Sequence, residues 1–253
     1  KGRKTHDRDA QFKNINEQAK QFIEAGDPVV SIDAKKKELV GDYKNNGREY
    51  RRKGNPRKVQ GHDFQGELGK ATPFGIYDVD ANEGFVNVGI SSDTAEFAVN
   101  SIRQWYLTMG RDRYPNAKRL MITADGGGSN GSRNRLFKRE LQKFATEFQL
   151  EVHVFHYPPG TSKWNKIEHR LFAQISRNWR GRPLETLEII VNLIASTKTK
   201  TGLHVECKLD KNEYETGIKV SEEEMAGLNL LRRAWRGGWN YVIFPKECHK
   251  LTY

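Results

Sequence analysis

The stretch His156-Tyr-Pro-Pro-Gly-Thr-Ser-Lys-Trp-Asn-Lys-Ile-Glu-His169 decides how the second half of this 253-residue chain folds. Before it, residues 150–154 alternate between apolar and polar side chains, which predicts a strand. From residue 163, inside this stretch, apolar residues recur at helical spacing, which predicts a helix over residues 163–179. The Pro-Pro-Gly turn therefore joins a strand to a helix and brings Glu168 onto the first turns of that helix.

Two aspartates follow apolar runs elsewhere in the chain. Asp33 comes directly after Pro28-Val-Val-Ser-Ile32, and Asp125 comes directly after Leu120-Met-Ile-Thr-Ala124. Both runs predict buried strands, so two carboxylates lie at strand ends and Glu168 lies on a helix. Carboxylates crowded together repel one another, and they stay ionised at neutral pH only when cations lie between them.

The ion that suits such a cluster is Mg²⁺, which prefers carboxylate oxygens, water and phosphate oxygens. Two such ions can activate an attacking oxygen and stabilise a leaving oxygen in phosphoryl transfer. We therefore predict that Asp33, Asp125 and Glu168 are catalytic residues and ligands of two Mg²⁺ ions, with Mn²⁺ as a substitute. Each also has a plainer interpretation: a turn former after a strand, the start of the Gly-rich turn 125–131, and a helix surface residue paired with lysine.

The order of predicted helices and strands indicates the fold class. It is a helix, strands in hairpin succession, and then helix, strand, helix, strand and helix, over residues 11–25, 29–33, 38–43, 73–80, 84–90, 93–110, 120–125, 134–148, 150–154 and 163–179. Asp93-Thr-Ala-Glu96 predicts a capping box at the start of the sixth element. We predict an α/β fold: a ribonuclease H-like mixed sheet flanked by helices, with a C-terminal extension.

Three segments are expected along the chain. Residues 1–27 form an N-terminal linker and helix, 28–182 a catalytic core, and 183–253 a C-terminal extension packed on the core. The extension is predicted to hold a helix at 184–196, strands at 203–209 and 239–244, and a capped helix starting at Ser221-Glu-Glu-Glu224. Because the chain begins at Lys1 and reads as a severed linker, we expect that a further domain precedes it.

The charge balance favours a polyanionic partner. The chain has 43 Lys and Arg residues against 32 Asp and Glu, a formal net charge of +11, and ribosomal or merely solvated basic surfaces give the same number. Cys207 and Cys248 lie far apart, so neither a disulfide framework nor a zinc cluster is predicted. No apolar run is long enough for a membrane span, so no membrane is expected. No P-loop motif is present and a dinucleotide-binding glycine motif fits only loosely at 126–131, so no nucleotide cofactor is expected.

Basic residues form two groups of candidate DNA contacts. One group lies in a predicted exposed loop over 44–58, which is either a solvated surface segment or an arm that contacts phosphates. The second group lies beside Glu168, and there a structural, hydrogen-bonded role for His169 is the alternative. The predicted DNA-binding residues are Lys44, Arg48, Arg51, Arg52, Lys53, Arg57, Lys58, Lys163, Lys166, His169 and Arg170.

Five stretches together resemble one family of proteins. They are Ser31-Ile-Asp-Ala-Lys-Lys-Lys-Glu-Leu-Val-Gly41, His62-Asp-Phe64, Asp93-Thr-Ala-Glu-Phe-Ala98, Ala124-Asp-Gly-Gly-Gly-Ser-Asn-Gly131 and His156 through Phe172. They are similar to the bacterial insertion-sequence transposases of the ISAzo-thirteen, or Rhodopirellula, type. The wider DDE superfamily often carries a Pro-Pro turn followed by Asn-Pro-Ile-Glu, and Asn165-Lys-Ile-Glu168 is similar with Lys in place of Pro.

The resemblance implies that Asp33, Asp125 and Glu168 are the DDE metal ligands. It also implies Mg²⁺-dependent strand cleavage at transposon ends, followed by attack of the exposed 3′-hydroxyl on target DNA. The implied partners are transposon-end and target DNA and further copies of the chain, as a homodimer or higher oligomer on DNA, in the bacterial cytoplasm at the nucleoid. Two alternatives remain: a hydrolytic nuclease of the same fold, and a non-catalytic DNA-binding protein derived from a transposase.

Overall fold

A nine-stranded mixed sheet organises residues 6–61 and 69–247, the part of the chain that this computed structural model describes. The strands are β1 (Val29–Ala34), β2 (Glu38–Leu39), β3 (Lys70–Asp78), β4 (Glu83–Gly89), β5 (Arg119–Ala124), β6 (Glu151–His156), β7 (His204–Asp210), β8 (Leu230–Arg232) and β9 (Asn240–Ile243). The α-helices are α1 (His6–Glu24), α2 (Ala95–Trp105), α3 (Arg111–Arg113), α4 (Arg135–Phe148), α5 (Ala173–Asn178), α6 (Leu187–Ala195) and α7 (Glu222–Ala226). The stretches Lys1–Lys4 and His62–Phe64 and residue Cys248 lie outside the described residues.

The strand order confirms the ribonuclease H-like fold. Along the sheet it is β7-β4-β3-β1-β5-β6-β9-β8, with β2 paired to β3. The strands β1, β5 and β6 are parallel, whereas β3 is antiparallel to both β1 and β4. Because β1, β5 and β6 run in the same direction, their carboxyl ends meet at one edge of the sheet. The predicted hairpin is β3–β4, and its turn contains Asn82 with a φ of 54°.

Both faces of the sheet are covered, which explains why the central strands are almost continuously apolar. On one face, α2 and α4 pack over Val30, Ile122 and Val154, and their own Trp105 and Phe144 are buried there. On the other face, α1 covers the β1–β5–β6 region, while α5 and α6 cover the β3–β4 side. Truncating a fully buried phenylalanine in such a core costs about 3–5 kcal/mol.

The C-terminal residues extend the same sheet at both of its edges. The strand β7 pairs in parallel with β4, whereas β9 pairs antiparallel with β6 and carries β8 on its outer side. The capping box at Ser221 is present, with reciprocal bonds between Ser221 and Glu224. The division of the chain into three segments stays a prediction. No helix in residues 6–61 and 69–247 has the length and apolar character that crossing a bilayer requires.

Three local predictions were wrong. The strand at 38–43 is only the two-residue β2, because Gly41 takes a φ of 144° and its N–H bonds Leu184 O instead of continuing the ladder. The cap of α2 is Thr94 and not Asp93, since the Thr94 hydroxyl accepts from Phe97 N at 3.2 Å. The helix over 163–179 is not continuous but starts with a separate 3₁₀ turn, Ser162–Trp164.

Candidate active site

Asp33 and Asp125 lie side by side at the carboxyl edge of the parallel strands. Ile32 of β1 is in register with Ala124 of β5, so the two aspartates follow on adjacent strands, about 5 Å apart between backbones. Side chains alternate along a strand, so Asp33 shares a face with Ser31 and lies opposite Ile32, which is in the α2–α4 core. The sequence prediction that both acids end strands is confirmed by the fold.

Asn165 fixes the helix that carries Glu168 to the end of β1. Its side chain is fully buried, accepts from the Ser31 hydroxyl, and donates to Ile32 O at 3.1 Å. The Ser31 hydroxyl in turn accepts from Ile167 N at 3.1 Å. These bonds place the residue next to Glu168 directly over the strand that carries Asp33.

Glu168 begins a π-helical turn, Glu168–Phe172, which continues into α5. A π turn inserts one residue into a helix and is frequent at functional sites. On its inner side Leu171 and Phe172 are buried against the sheet, and a side chain at Gly75 or Gly84 of β3 and β4 would collide with them. The close approach of helix and sheet therefore fixes the depth at which Glu168 lies.

The three carboxylates interact electrostatically although they come from distant parts of the chain. Burial raises the pKa of Asp33 to about 8, with the charges of Asp125 and Glu168 adding to the effect and a 2.8 Å bond from Ala34 N opposing it. Burial and Glu168 likewise raise the pKa of Asp125 to about 6, against a hydrogen bond from Asn165. In the absence of a cation, the protein therefore disfavours the ionised forms of these carboxylates, because charge is poorly solvated there.

A bound cation would fit this arrangement. One carboxylate oxygen of Asp125, Oδ1, is buried and has no hydrogen-bond partner, and buried anionic oxygens are otherwise paired or coordinate metals. However, within residues 6–61 and 69–247 no group of three His, Cys, Asp or Glu side chains is gathered closely enough to hold a metal ion. The three acids thus lie at one edge of the sheet, but they are not close enough together to form a complete set of metal ligands.

A fourth carboxylate, Asp93, interacts electrostatically with the site. Its charge adds to the raised pKa of Asp33, and its Oδ1 is buried without a partner. Because Thr94 caps α2, the Asp93 side chain is not the cap of the helix. The sequence signal for this residue was present, but the local Asp-x-x-Glu pattern favoured a capping role.

His156 forms a hydrogen bond with the backbone that directly follows β5. The imidazole is fully buried, its Nδ1 donates to Asp125 O at 2.9 Å, and its Nε2 accepts from the Tyr241 hydroxyl at 3.2 Å. Burial lowers the pKa of His156 to about 4, so the ring stays neutral. A buried pair of amides, Gln11 and Asn240, closes the same region with bonds of 2.7 and 3.0 Å. Both α1 and the C-terminal strand β9 therefore support the position of Asp125.

The basic residues predicted beside Glu168 do lie beside it. Lys163 and Arg170 are exposed, and Lys166 is half-buried, with its pKa lowered by burial and by Arg170. His169 uses Nε2 to donate to Lys163 O, which favours its structural alternative. Trp164, half-exposed at 52%, lies with its ring 5.3 Å from Lys163 Nζ.

The basic loop over 44–58 contains no helix or strand and is fastened to the end of α5. Asn45 Nδ2 donates to Trp179 O and Arg182 O at 3.2 Å each, and Gly181 N donates to Asn46 O at 2.9 Å. Six of its seven predicted DNA contacts are exposed: Lys44, Arg48, Arg51, Arg52, Lys53 and Lys58. The seventh, Arg57, is half-buried between Asp42 and Glu185 and is paired with both. Exposure suits phosphate contact for the six, of which Arg51 is also paired with Glu49 at 2.8 Å, whereas burial and two acidic partners suit an anchoring role for Arg57.

Sequence reasoning missed several residues of the site. Asn165 and Ser31 stand only within longer motifs of the sequence, and only Ser31, a polar residue between apolar neighbours, carries a signal of its hydrogen-bonded role. Tyr50 is 99% exposed among the arginines of the basic loop, and an aromatic residue within a basic run is typical of nucleic-acid contact. Tyr241 gave no signal, because it reaches His156 from 85 positions away.

The parallel strands β1, β5 and β6, the antiparallel β3 and β4, and the acids at the carboxyl edge define a ribonuclease H-like protein with an acidic candidate active site. The chain belongs to the Rhodopirellula transposase DDE domain family, whose model matches residues 1–245. This match confirms the resemblance read from the five stretches of sequence.

Solved structures with a similar fold include complexes of Mos1 transposase. The chain is similar to the "Mos1 transposase paired-end complex with left transposon end", at 14% identity and a TM-score of 0.47, over 74% of this chain and 53% of that chain. It is also similar to the "Crystal structure of the Mos1 mariner paired end complex with Mn", at 15% identity and a TM-score of 0.45, over 74% and 53%. The chain spans about half the length of these structures. Comparison with curated proteins finds no match.

Proposed function

We propose that this chain is the catalytic domain of a DNA transposase. In this proposal it cleaves strands at transposon ends and joins the exposed 3′-hydroxyl to target DNA in a Mg²⁺-dependent reaction. The observation that carries the proposal is the electrostatic interaction of Asp33, Asp125 and Glu168 at one edge of the sheet. Membership of a transposase DDE domain family supports it.

Each part of the site has a role in this proposal. Asp33, Asp125 and Glu168 would hold two Mg²⁺ ions, and Mn²⁺ would substitute. Bound ions supply activation of the attacking oxygen and neutralisation of charge on the leaving oxygen. The chain itself fixes the ligands: Asn165 ties the Glu168 helix to β1, and His156 holds the carbonyl of Asp125.

The proposed substrate is DNA, and basic residues lie next to Glu168 and at the end of α5. Lys163, Lys166 and Arg170 put positive charge next to Glu168, and the loop over 44–58 extends the basic surface from the end of α5. Cations of this kind position a phosphate backbone without reading bases. We include a homodimer or higher oligomer on DNA, because the two ends of an element must be brought together.

The test compares cleavage with joining on two DNA substrates in Mn²⁺. One duplex carries an intact end of the insertion sequence that encodes the chain, and the other carries the same end already cut to a free 3′-hydroxyl. We expect the wild-type chain to nick the first and to join the second to target DNA. Asp33→Asn, Asp125→Asn and Glu168→Gln should each lose both activities by on the order of 100-fold or more, because each removes a proposed metal ligand.

Asp112→Asn is the matched control, because it removes one carboxylate from an exposed position on α3. It should leave both activities unchanged. Cleavage without joining by the wild-type chain would identify a hydrolytic nuclease instead. Activity close to wild type in any one of the three variants would remove that residue from the site.

A further inference from the structure

A second cationic feature lies at the carboxyl edge of the sheet, on the face opposite the acids. It is a pocket of about 580 Å³ between the N-terminus of α4, the helix α7 and the β8–β9 hairpin. Its charged and polar lining residues are Ser132, Arg133, Arg135, Lys138, Glu222 and Arg232. Four cations and a single carboxylate therefore surround one concave space.

The carboxylate does not balance these cations. Glu222 is paired with Arg135 at 2.5 Å, while Arg232 donates to a backbone carbonyl, Gly237 O, at 3.2 Å and has no ion pair among the described residues. Arg133 is exposed and makes no ion pair within residues 6–61 and 69–247. The pocket therefore keeps a surplus of positive charge within one concave space.

Lys138 makes the surplus unusual for a solvated surface. The residue is 3% exposed, its Nζ donates to Ser132 O and lies 5.4 Å from the centre of the Tyr241 ring, and no carboxylate in the described part of the chain pairs with it. Buried lysines are rare unless they are paired. Burial, with Arg232 and Arg135 nearby, lowers the pKa of Lys138 to about 8. An anion in the pocket would offset the repulsion between Lys138 and these two arginines.

The start of α4 adds to the positive potential. The first turn of this 14-residue helix contains no acidic residue and carries Arg135 and Lys138, although helix N-termini favour negative charge. The neighbouring α7 shows the usual arrangement, with three glutamates in its first turn. An anion bound at the N-terminus of α4 would supply the negative charge that the first turn of this helix lacks.

The pocket is connected to the proposed active site by two short paths. Ser132 N donates to Gly126 O at 3.3 Å, and Gly126 directly follows Asp125. Lys138 lies under the Tyr241 ring, and Tyr241 bonds His156, which holds the carbonyl of Asp125. A DNA strand at the acids that crosses the Gly-rich turn would therefore reach the pocket.

We propose that this pocket binds a backbone phosphate of the DNA substrate a short way along the strand from the cleaved bond. The inference rests on the proposed function for the identity of the DNA, but the binding requires neither the metal ligands nor chemistry. Arg133 and Arg232 reach the phosphate from the exposed side, and Lys138 meets it from below.

The test measures affinity of the full chain for a fluorescent 30-base-pair duplex carrying the transposon end, in EDTA, over a range of NaCl concentrations. Because no divalent ion is present, failure of catalysis does not affect the result. R133Q/R232Q should weaken binding by about 10-fold near 100 mM salt and reduce the slope of log affinity against log salt by about 1. The control R111Q/K143Q removes two cations elsewhere on the surface and should change affinity less than about 2-fold. Equal effects of the two double variants would overturn the proposal.

Two further arms decide the source and place of the phosphate. Single methylphosphonate linkages near the cleaved bond should include one that weakens binding of wild type but adds nothing to R133Q/R232Q, and the absence of such a position would overturn the placement. Inorganic phosphate at 10 mM is the second probe. A rise in melting temperature that depends on Arg133 and Arg232, together with unchanged DNA affinity, would assign the pocket to free phosphate instead.

K138M should reproduce the loss of DNA affinity, whereas a K138M variant that folds and binds DNA normally would contradict the role given to the buried lysine.

Discussion

Asp33 and Asp125 show what burial does to acidic groups at a strand edge. Each has a pKa above its ordinary value, chiefly because it is buried and secondly because another carboxylate is near. The sequence predicted both positions, since an aspartate that ends an apolar run is easy to recognise. It did not predict Asp93 as a neighbour, because a local capping pattern explained that residue equally well.

A raised carboxyl pKa makes the folded chain lose stability as pH rises. Between pH 4 and pH 6 the folded chain keeps a proton on Asp125 that the unfolded chain releases, so the free energy of unfolding falls through this window. In EDTA, Asp125→Asn should therefore melt a few degrees above wild type at pH 8, since about 1 kcal/mol shifts the midpoint by about 2–4 °C. The difference should shrink towards pH 4. A D125N variant that melts below wild type at pH 8, while D112N is unchanged, would contradict the electrostatic account of the site.

Asn165 acts through position, and its replacement separates chemistry from binding. Asn165→Ala removes the bonds to Ser31 and Ile32 and should lower the cleavage rate about 10- to 100-fold, as loss of a ligand-orienting partner does. Affinity for DNA in EDTA should stay at the wild-type value. Asn178→Ala is the control, because that side chain bonds Leu193 O at 2.6 Å away from the acids. If both variants lose stability equally and both keep full activity, Asn165 does not position the site.

At the scale of elements, the helix that carries Glu168 differs most from its prediction. The apolar spacing correctly indicated a helix that packs on the sheet, with Ile167, Leu171 and Ile175 buried. The separate 3₁₀ turn and the π turn Glu168–Phe172 were not readable, because one inserted residue barely changes the apolar pattern. The bonds between Asn165, Ser31 and Ile167 link positions more than 130 residues apart, and no local pattern reports such pairs.

The loop over 44–58 should divide into contacting and anchoring residues. Neutralising Arg51, Arg52 and Lys53 to glutamine should weaken DNA binding and reduce its salt slope by about 1 or more, since these side chains are exposed. Arg57→Gln should instead lower the melting temperature and change the salt slope less, because Arg57 is paired with Asp42 and Glu185. If the triple variant leaves the salt slope of DNA binding unchanged, the loop is a solvated surface segment instead.

At the scale of the whole molecule, one sheet gathers side chains that the sequence keeps apart. The class of fold was predictable, because hairpin spacing and alternating helices and strands have few arrangements. The positions of the C-terminal strands were not, since β7 and β9 join opposite edges through long-range pairing. The bond from Tyr241 to His156 follows from that pairing, so the C-terminal residues take part in supporting Asp125.

The central claim is that Asp33, Asp125 and Glu168 together hold divalent ions once the chain is folded. Calorimetric titration of Mn²⁺ into the full chain, with D125N and the exposed control D112N in parallel, tests it most directly. The account predicts two bound ions per chain in the wild type and in D112N, with binding weakened by on the order of 100-fold or lost in D125N. Equal affinity and stoichiometry in wild type and D125N would contradict it.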